Sequence, residues 1–401
     1  MTDARYYFLG GIFSDSKINF ILENSLGVVQ NAADSFQKKI ILGLDTVLKD
    51  GVIVHNFPFV GSYPSLFRFP FFPADEGRIG NKSRIIGFRF LNIFALRFIS
   101  RFVSSLKALL LTPKDKRAVV FVYSAHLPFV LSAVIFRVFR RSTLTCLILP
   151  DLPEYMGDRG GIRKLLKWFD IKFFYFLVKF FDYYVFLTDF MAERLRVSKD
   201  RYVVVEGIAD YEPRQNFKHS SYIKSFLYTG TLSKRYGVLN LVAAFSRLED
   251  KSVELWICGD GDAKEEILAA SKLDSRIKFF GQVDRVTSLN LQSAAGILIN
   301  PREPDGDYTR FSFPSKVLEY MSSGKPVIMY KLDGISSDYD PFYISPRGLG
   351  VDMLLECMAD VLTMNDEDLV KLGRNAQNFV FINKNPAIQT QKIINLFSKK
   401  V

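Results

Sequence analysis

The chain has few of the residues that bind transition metals or form disulfides: its 401 residues include three cysteines and three histidines. No Cys-x-x-Cys pair occurs, and the histidines are scattered, so neither a zinc cluster nor a disulfide framework is expected. The cysteines are far apart, odd in number and embedded in apolar segments, at Cys146, Cys258 and Cys357. This distribution predicts buried free thiols in a reducing compartment.

Long apolar runs are also scarce. The longest candidate for a membrane span, Ala118 to Phe136, has nineteen residues without a charge. It contains Ser124, His126 and Pro128 near its middle, which favours a buried strand, a loop and a helix start over a transmembrane helix. The first residues carry no signal-peptide pattern, so we expect a cytoplasmic protein.

Acidic residues are scarce between positions 68 and 141, where fourteen lysines and arginines accompany three acids. This excess equals the +11 net charge of the whole chain. The segments Arg84–Leu111 and Phe57–Phe72 mix these charges or prolines with large apolar side chains, which suits contact with an anionic membrane surface. A solvated basic face on core-packing helices is the alternative. No zinc-finger, helix-turn-helix or RRM signature accompanies the charge, so no nucleic-acid partner is expected.

Short apolar strands alternate with helices along the chain, which predicts an α/β protein with parallel sheets covered on both faces. Its length and 48% hydrophobic content suit two domains. The helices include Ser25–Leu44, Arg84–Leu111, Ala263–Leu273 and Pro386–Lys400, and Ala209–Tyr222 reads as a linker. The predicted strands are Tyr6–Leu9, Val52–Asn56, Val119–Tyr123, Thr145–Leu149, Tyr183–Leu187, Ser225–Tyr228, Val253–Cys258, Lys278–Phe280, Gly296–Asn300 and Val327–Tyr330.

One segment, Phe311 to Ile328, combines a hydroxyl, an ammonium and a carboxylate around the start of a predicted helix. Pro314 suits a first helical turn, whose backbone N–H groups near Ser315 and Lys316 favour an anion such as phosphate. Glu319 follows Ser315 by one turn on the same face, where a carboxylate can accept both hydroxyls of a ribose. Gly324 ends the helix. The alternative is an ordinary helix start with a glycine cap.

This segment resembles the donor-site signature of glycosyltransferase family 4, whose members are retaining enzymes of the GT-B fold. The shared pattern is Pro-Ser-Lys, Glu-Tyr and Ser-Gly-Lys-Pro-Val, and the resemblance covers residues from about 225 to 385 well and the first half in layout only. It implies two Rossmann-like domains facing across a cleft. Residues 1–212 would bind the acceptor, residues 220–383 would bind the nucleotide sugar, and a C-terminal helix, residues 384–401, would cross back to the first domain.

Glycines at strand ends strengthen the resemblance. Gly259 and Gly261 belong to a Gly-Asp-Gly sequence that follows a strand, as in the family. The turn Gly281-Gln282-Val283 resembles the one whose backbone contacts the nucleobase, which makes Val283 a candidate. Each glycine also suits a tight turn that binds nothing.

The chain departs from the family in the loop that opens the donor domain, which contains Gly230 and Thr231. The usual arginine and lysine that neutralise the diphosphate are replaced by Thr231 and Tyr236. Because a leaving diphosphate needs a cationic or N–H partner, we predict Lys316 first and Arg235 second in that role. Arg235 and its neighbour Lys234 are also compatible with plain loop charges.

A second departure is the missing first glutamate of the family's pair, since Phe311 lies eight positions before Glu319. The family residue contacts the donor sugar. Asp305, Asp307 and Arg310 enter the same helix start and are candidates to substitute, although the Pro-Asp-Gly-Asp sequence equally suits a turn.

Three strand ends in the first half carry further candidates. Gly10 and Gly11 follow a strand and either let the backbone approach the donor phosphates or merely turn the chain. His126 follows a strand at the position where related transferases have a histidine at the cleft, and ligands of open α/β sheets bind outside the carboxyl ends of strands. A lone histidine equally suits a structural role. Asp151 also follows a strand, where it either orients the acceptor hydroxyl or caps a turn.

The resemblance implies transfer of a sugar from a nucleotide-diphosphate donor to a hydroxyl, with retention of configuration, no cofactor and no obligatory metal. The basic, aromatic first half suggests a glycan or lipid-linked acceptor at the inner face of a bacterial membrane. Two alternatives remain. A GT-B sugar-nucleotide epimerase would convert the donor without an acceptor, and a non-enzymatic membrane-associated scaffold would bind no nucleotide.

Overall fold

The structure, a computed structural model, describes residues 4–94, 96–155, 162–209 and 224–397, without the side chains of residues 162–166. The chain divides into two compact units. The first comprises Met1–Ile208 together with Pro386–Val401, and the second comprises Ala209–Asn385. Each unit contains a parallel sheet with helices between successive strands, as the alternation of the sequence predicts.

Most strands of the first unit form one eight-stranded sheet. They are β1 (Ala4–Gly10), β2 (Ile53–Asn56), β3 (Phe71–Phe72), β4 (Glu76–Ile79), β5 (Ser83–Gly87), β6 (Phe90–Leu91), β7 (Arg117–Tyr123), β8 (Leu144–Leu149), β9 (Tyr183–Phe186) and β10 (Tyr202–Val204). The order is β10-β9-β8-β7-β1-β2-β5-β4, and the two strands β3 and β6 pair separately. All neighbours in the large sheet are parallel except β4 and β5.

The helices of the first unit bury both faces of this sheet. They are α1 (Ile18–Asn24), α2 (Asn31–Val47), α3 (Leu96–Leu110), α4 (Leu127–Phe139), α5 (Ile162–Val178), α6 (Asp189–Leu195) and the terminal helix α13 (Pro386–Phe397). On one face, Leu44 of α2 and Ile393 of α13 join Phe8 of β1 in the core. The alternate strand residues, such as Leu9 and Val120, are also fully buried, which is typical of a parallel sheet covered on two sides. Helix α4 packs against both α3 and α5.

The second unit has a five-stranded parallel sheet. Its strands are β11 (Ser225–Thr229), β12 (Glu254–Cys258), β13 (Ile277–Gly281), β14 (Ile297–Asn300) and β15 (Val327–Met329), in the order β13-β12-β11-β14-β15. Its helices are α7 (Val238–Ser246), α8 (Lys264–Leu273), α9 (Arg285–Ala294), α10 (Ser315–Ser322), α11 (Gly350–Thr363) and α12 (Asp366–Asn383). The chain builds outward from β11 to β13 and then returns to the other side of β11, so the strand order reverses beside β11.

The ten predicted strands are confirmed to within a few residues, but two predicted helices, Ser25–Leu44 and Arg84–Leu111, are wrong over their first parts. The first residues of Ser25–Leu44 lie in the segment between α1 and α2, where Ser25 pairs with Phe67 and the Leu26 N–H donates to the Leu66 carbonyl at 3.0 Å. The first part of Arg84–Leu111 lies in β5, because Ser83 to Gly87 alternates buried and exposed residues and pairs with β2.

The apolar run from Ala118 to Phe136 forms most of β7 and α4, as predicted. Among the described residues, no helix combines the length and apolar character needed to cross a bilayer. All three cysteines are free and buried, as predicted. The predicted linker, Ala209–Tyr222, lies almost entirely outside the described residues.

Candidate functional site

A cavity of about 250 Å³ opens at the carboxyl ends of β11, β12 and β13. Ligands of open α/β sheets bind at this edge, beside the point where the strand order reverses. Loops after three strands, the start of α10 and one residue of α9 supply the wall. Its lining residues are Thr229, Gly230, Thr231, Cys258, Gly259, Asp260, Gln282, Val283, Ser288 and Lys316.

The start of α10 borders this cavity. Helix α10 begins at Ser315, directly after Pro314, and Gly324 has a φ of +75° just beyond its end. Ser315 is exposed, and Lys316 is half-buried and lines the cavity. Because the first N–H groups of a helix have no partner within it, this end attracts an anion.

Lys316 and Glu319 are bonded to each other. The Lys316 Nζ donates to Glu319 Oε1 at 3.0 Å and to Thr229 Oγ1 at 3.4 Å. The fully buried Gln292 of α9 donates its Nε2 to the same Glu319 oxygen at 2.6 Å. Both strong bonds end on Oε1, so Oε2 keeps its capacity to accept a ligand hydroxyl. Glu319 itself is not among the residues that line the cavity, and Lys316, its hydrogen-bond partner, is.

Opposing effects act on the Glu319 carboxyl. Burial raises its pKa, but the Lys316 ammonium, together with the hydrogen bonds from Lys316 and Gln292, outweighs this effect, so the pKa is lowered below its usual 4.5. Glu319 is therefore a carboxylate at neutral pH, which is the acceptor-only form that a sugar hydroxyl needs.

The predicted glycines serve close packing of the loops around the cavity. A side chain at Gly259 would collide with the carbonyl of Gly230, and one at Gly261 would collide with the carbonyl of Leu232. Gly230 itself has a φ of +152°, which disfavours other residues. These glycines let two strand-end loops approach each other, and Gly230 and Gly259 line the cavity together with Thr231 and Val283.

The other predicted cations and acids of this unit do not line the cavity. The Arg235 guanidinium lies 3.4 Å from the centre of the Tyr308 ring, and Lys234 pairs with Glu266 on α8. Arg310 pairs with Asp333 at 4.0 Å.

Neither Asp305 nor Asp307 is part of the wall, so no carboxylate from that loop reaches the cavity. Of the lining residues, Lys316 carries the positive charge and Asp260 the negative one, and Asp260 is paired with Lys264 at 3.3 Å.

In the first unit, Gly10 ends β1 and Gly11 follows it beside Gln37, whose side-chain oxygen accepts the Gly11 N–H at 2.9 Å. Because a side chain at Gly10 would collide with Gln37 and one at Gly11 with the Phe57 carbonyl, the two glycines have a packing role here. The Gly11 N–H is already used within the protein, which argues against its donation to a phosphate.

His126 and Asp151 lie at the carboxyl ends of β7 and β8, as their sequence positions suggest. The His126 Nε2 accepts from the Arg101 guanidinium at 3.3 Å, since arginine only donates. Burial and the charges of Arg101 and Arg97 lower the pKa of His126 well below its usual value, so the imidazole is neutral. Asp151 reaches solvent, although the surrounding protein raises the pKa of its carboxyl.

Sequence reasoning missed three polar residues of the site. Gln292 gave no signal, since a helical glutamine is ordinary, yet it is fully buried against Glu319. Ser288 lies one turn earlier on α9 and lines the cavity. Thr229 could have been predicted from the sequence, because it ends a strand immediately before Gly230 and ligands bind at such strand ends.

Comparison with known proteins agrees with this fold. Residues 223–364 match the sequence profile of glycosyl transferases group 1. The fold over 98% of the chain is similar to all of Anabaena HepE in complex with UDP, with a TM-score of 0.62 and 14% sequence identity. The chain is a glycosyltransferase with the GT-B fold.

Two further structures have the same fold. The lipopolysaccharide outer core galactosyltransferase WaaB matches over 99% of this chain and 100% of its own, with a TM-score of 0.59 and 15% identity. Sucrose-phosphate synthase from Thermosynechococcus elongatus matches over 98% of both chains, with a TM-score of 0.62 and 15% identity. A comparison with curated protein sequences finds no significant match. Within the described ranges, no group of three or more His, Cys, Asp or Glu side chains is arranged to hold a metal ion.

Proposed function

We propose that this glycosyltransferase retains anomeric configuration and transfers a sugar from a nucleoside-diphosphate donor to a hydroxyl of a lipid-linked or polysaccharide-precursor acceptor. Its role would be bacterial surface-glycan synthesis. The observation that carries the proposal is the pairing of Lys316, in the cavity wall at the start of α10, with Glu319 one turn further on.

The donor diphosphate binds at the start of α10. The Lys316 ammonium and the first N–H groups of the helix offset its negative charge, and this stabilisation grows as the sugar–phosphate bond breaks. Glu319 Oε2 accepts the ribose hydroxyls, and the turn containing Gln282 and Val283 lies beside the nucleobase. Since Lys316 and the helix start provide the positive charge, the reaction has no obligatory metal.

Retention places few demands on side chains. The bond from the anomeric carbon to the diphosphate oxygen breaks, the acceptor oxygen bonds to the same face, and the acceptor proton passes to the departing diphosphate. The neutral His126 and the Asp151 carboxyl, at strand ends of the first unit, are candidates to orient the acceptor.

Contact with an anionic membrane is supported by exposed apolar stripes on the first unit. Helix α3 exposes Leu96, Ile99 and Val103 on one face, and α5 exposes Phe173 and Phe176, with α4 packed between the two helices. Large exposed apolar areas mark interaction sites, and nearby basic residues favour anionic lipid.

One residue departs from the expected basic surface. Arg101, which the sequence groups with the basic residues of Arg84–Leu111, is 2% exposed and cannot contact lipid there.

Similar proteins support the choice of donor and acceptor. HepE is described in complex with UDP, and WaaB is a lipopolysaccharide outer core galactosyltransferase. A uridine nucleotide and a membrane-anchored glycan are therefore the first ligands to test.

A thermal-shift screen against nucleoside diphosphates and nucleotide sugars tests the proposal. A ligand at about 100 times its dissociation constant adds about 2.7 kcal/mol of apparent stability. With the best donor, NMR of the product reports the anomeric configuration. Inversion would refute the retaining mechanism, conversion of donor without acceptor would indicate an epimerase, and no response to any nucleotide would favour a scaffold.

A further inference from the structure

The first unit contains its own cavity, of about 540 Å³, which the nucleotide site does not account for. Its wall comes from the break between α1 and α2, from the loop after β2, and from α3. The described lining residues are Ile21, Ser25, Gly27, Val28, Val29, Gln30, Phe59, Val60, Gly61, Ser62, Tyr63, Pro64, Ser65, Leu66, Phe94, Arg97, Arg101 and His126.

Arg101 is the unusual member of this wall. It is 2% exposed, and its guanidinium donates to the Pro58 carbonyl at 2.6 Å and to His126 Nε2 at 3.3 Å. It also stacks 4.3 Å from the centre of the Phe90 ring. Its Nε is buried without a hydrogen-bond partner, and none of its contacts is with a carboxylate. Burying a cation without a counter-charge costs free energy, so the buried position of Arg101 calls for an explanation.

A second cation faces the same space. Arg97 precedes Arg101 by one helical turn, lines the cavity and donates to the Val60 carbonyl at 3.1 Å. Like charges at this spacing repel each other. Among the described lining residues there is no aspartate or glutamate. The described wall therefore contains two arginines and no carboxylate, and one of the two, Arg101, is buried without an acidic partner.

We propose that this cavity binds a phosphate group of the acceptor through Arg101 and Arg97. A phosphate accepts hydrogen bonds from several guanidinium N–H groups at once, so it matches two arginines better than a neutral ligand would. With its Nε2 occupied by Arg101, neutral His126 carries its proton on Nδ1 and is a donor, so it adds a neutral polar contact beside the two cations.

The cavity also suits what a phosphate would be attached to. Its volume falls within the range of small-molecule sites, well above the size of phosphate alone. Its wall includes exposed apolar side chains, with Val28 90% and Phe94 51% exposed. Sugar faces and lipid chains both pack on such groups, so the acceptor would be either a soluble phosphorylated sugar or a lipid-linked phosphate.

The loop that forms much of the wall is held in place by two hydrogen bonds with Asn92. Tyr63 donates to the Asn92 carbonyl at 2.9 Å, and the Asn92 side chain donates to the Gly61 carbonyl at 2.7 Å. The cavity is therefore formed before a ligand arrives, which lowers the cost of binding.

Binding is tested by titrating methyl phosphate into the full-length protein, with methanol as the uncharged control, by calorimetry and thermal shift at constant ionic strength. We expect Arg101→Met and Arg97→Gln each to weaken binding by about tenfold to a hundredfold, the loss of a charge-assisted contact. Lys107→Gln removes an equal charge from the same helix outside the cavity and should bind as wild type does. Lys316→Ala should also keep this binding, which excludes the nucleotide cavity as its source.

If Arg101→Met does not fold, Arg97→Gln alone decides. Equal phosphate affinity in wild type and Arg97→Gln, or no phosphate binding by wild type, would overturn the proposal. Two further arms identify the source: a soluble hexose phosphate, and phosphatidylcholine vesicles with and without polyprenyl phosphate. Arginine-dependent binding in either arm supports the proposal and names the acceptor class, and its absence from both overturns it.

The acceptor role rests on the proposed transferase function, but the anion site does not. UDP titrations on the same variants separate the two. Phosphate binding without any nucleotide binding would leave the site standing and refute the function. Nucleotide binding without arginine-dependent phosphate binding would refute the phosphate site and leave the proposed function standing.

Discussion

Glu319 offers the sharpest test of the donor site, because its role predicts a preference between two ligands that differ by one hydroxyl. Wild type should bind UDP more tightly than 2′-deoxy-UDP. A hydrogen bond to a charged group contributes about 1.5–3 kcal/mol, so the missing hydroxyl should weaken binding about tenfold or more. In Glu319→Ala the two ligands should bind within about twofold of each other, because the carboxylate that distinguishes them is gone.

The variant also changes the protein without ligand, and the assay must separate that effect. Gln292 loses its 2.6 Å bond and keeps weaker contacts to Thr229 at 3.4 Å and Ser288 at 3.3 Å. We expect a loss of about 1–3 kcal/mol in the free energy of unfolding. Calorimetry well below the melting temperature measures binding to folded protein only. Glu266→Ala, an exposed carboxylate of the same unit, is the matched control.

The ratio of the two affinities is the quantity that decides. Lys316, released from its partner at 3.0 Å, will bind the diphosphate of both ligands more strongly in the variant, and this gain cancels in the ratio. A variant that still prefers UDP as wild type does would refute the contact between Glu319 and the ribose, whatever its overall affinity.

Three other predictions concern charge. Lys316→Ala should lower turnover by about two to three orders of magnitude, as loss of a transition-state donor does, whereas Lys234→Ala, paired with Glu266, should be near normal in the same transfer assay. Because folding lowers the pKa of Glu319, its contribution to stability should be present above its usual pKa of 4.5 and lost as the pH falls below that value. The melting temperatures of wild type and Glu319→Gln should therefore converge in acid. A difference that stays constant with pH would contradict this. Changing the exposed Arg89 and Lys107 to Gln should weaken binding to anionic vesicles, measured by co-sedimentation, by about 1 kcal/mol per charge. The affinity for UDP should not change. Vesicle binding that does not depend on lipid charge would show that these residues are merely solvated.

Local pattern was enough to predict much of the second unit. Its five strands are short apolar runs bounded by turn residues, and Gly324 ends α10 where the sequence indicated. Ser315, Lys316 and Glu319 lie on eight residues of one helix, so their spacing follows from helix geometry alone. The position of a strand's end likewise indicates where a ligand binds, because all parallel strands end at the same edge.

The same reasoning misplaced the starts of two helices in the first unit, because both segments pair with distant parts of the chain. Ser83–Gly87 became a strand through its partner β2, and Ser25 was drawn out of a helix by Phe67. Propensity is a weak predictor where tertiary hydrogen bonds compete with it.

The sequence alone determined the order of elements, the charge excess and the motif at α10, since each depends on neighbouring residues. Only the tertiary structure decided what each charge does. Arg101 belongs by sequence to a basic surface, but the packing of α3 buries it beside His126 in a cavity. Arg235 stacks on Tyr308, and Gln292 reaches Glu319 from another helix. These outcomes depend on contacts between residues far apart in the chain, which no local pattern encodes.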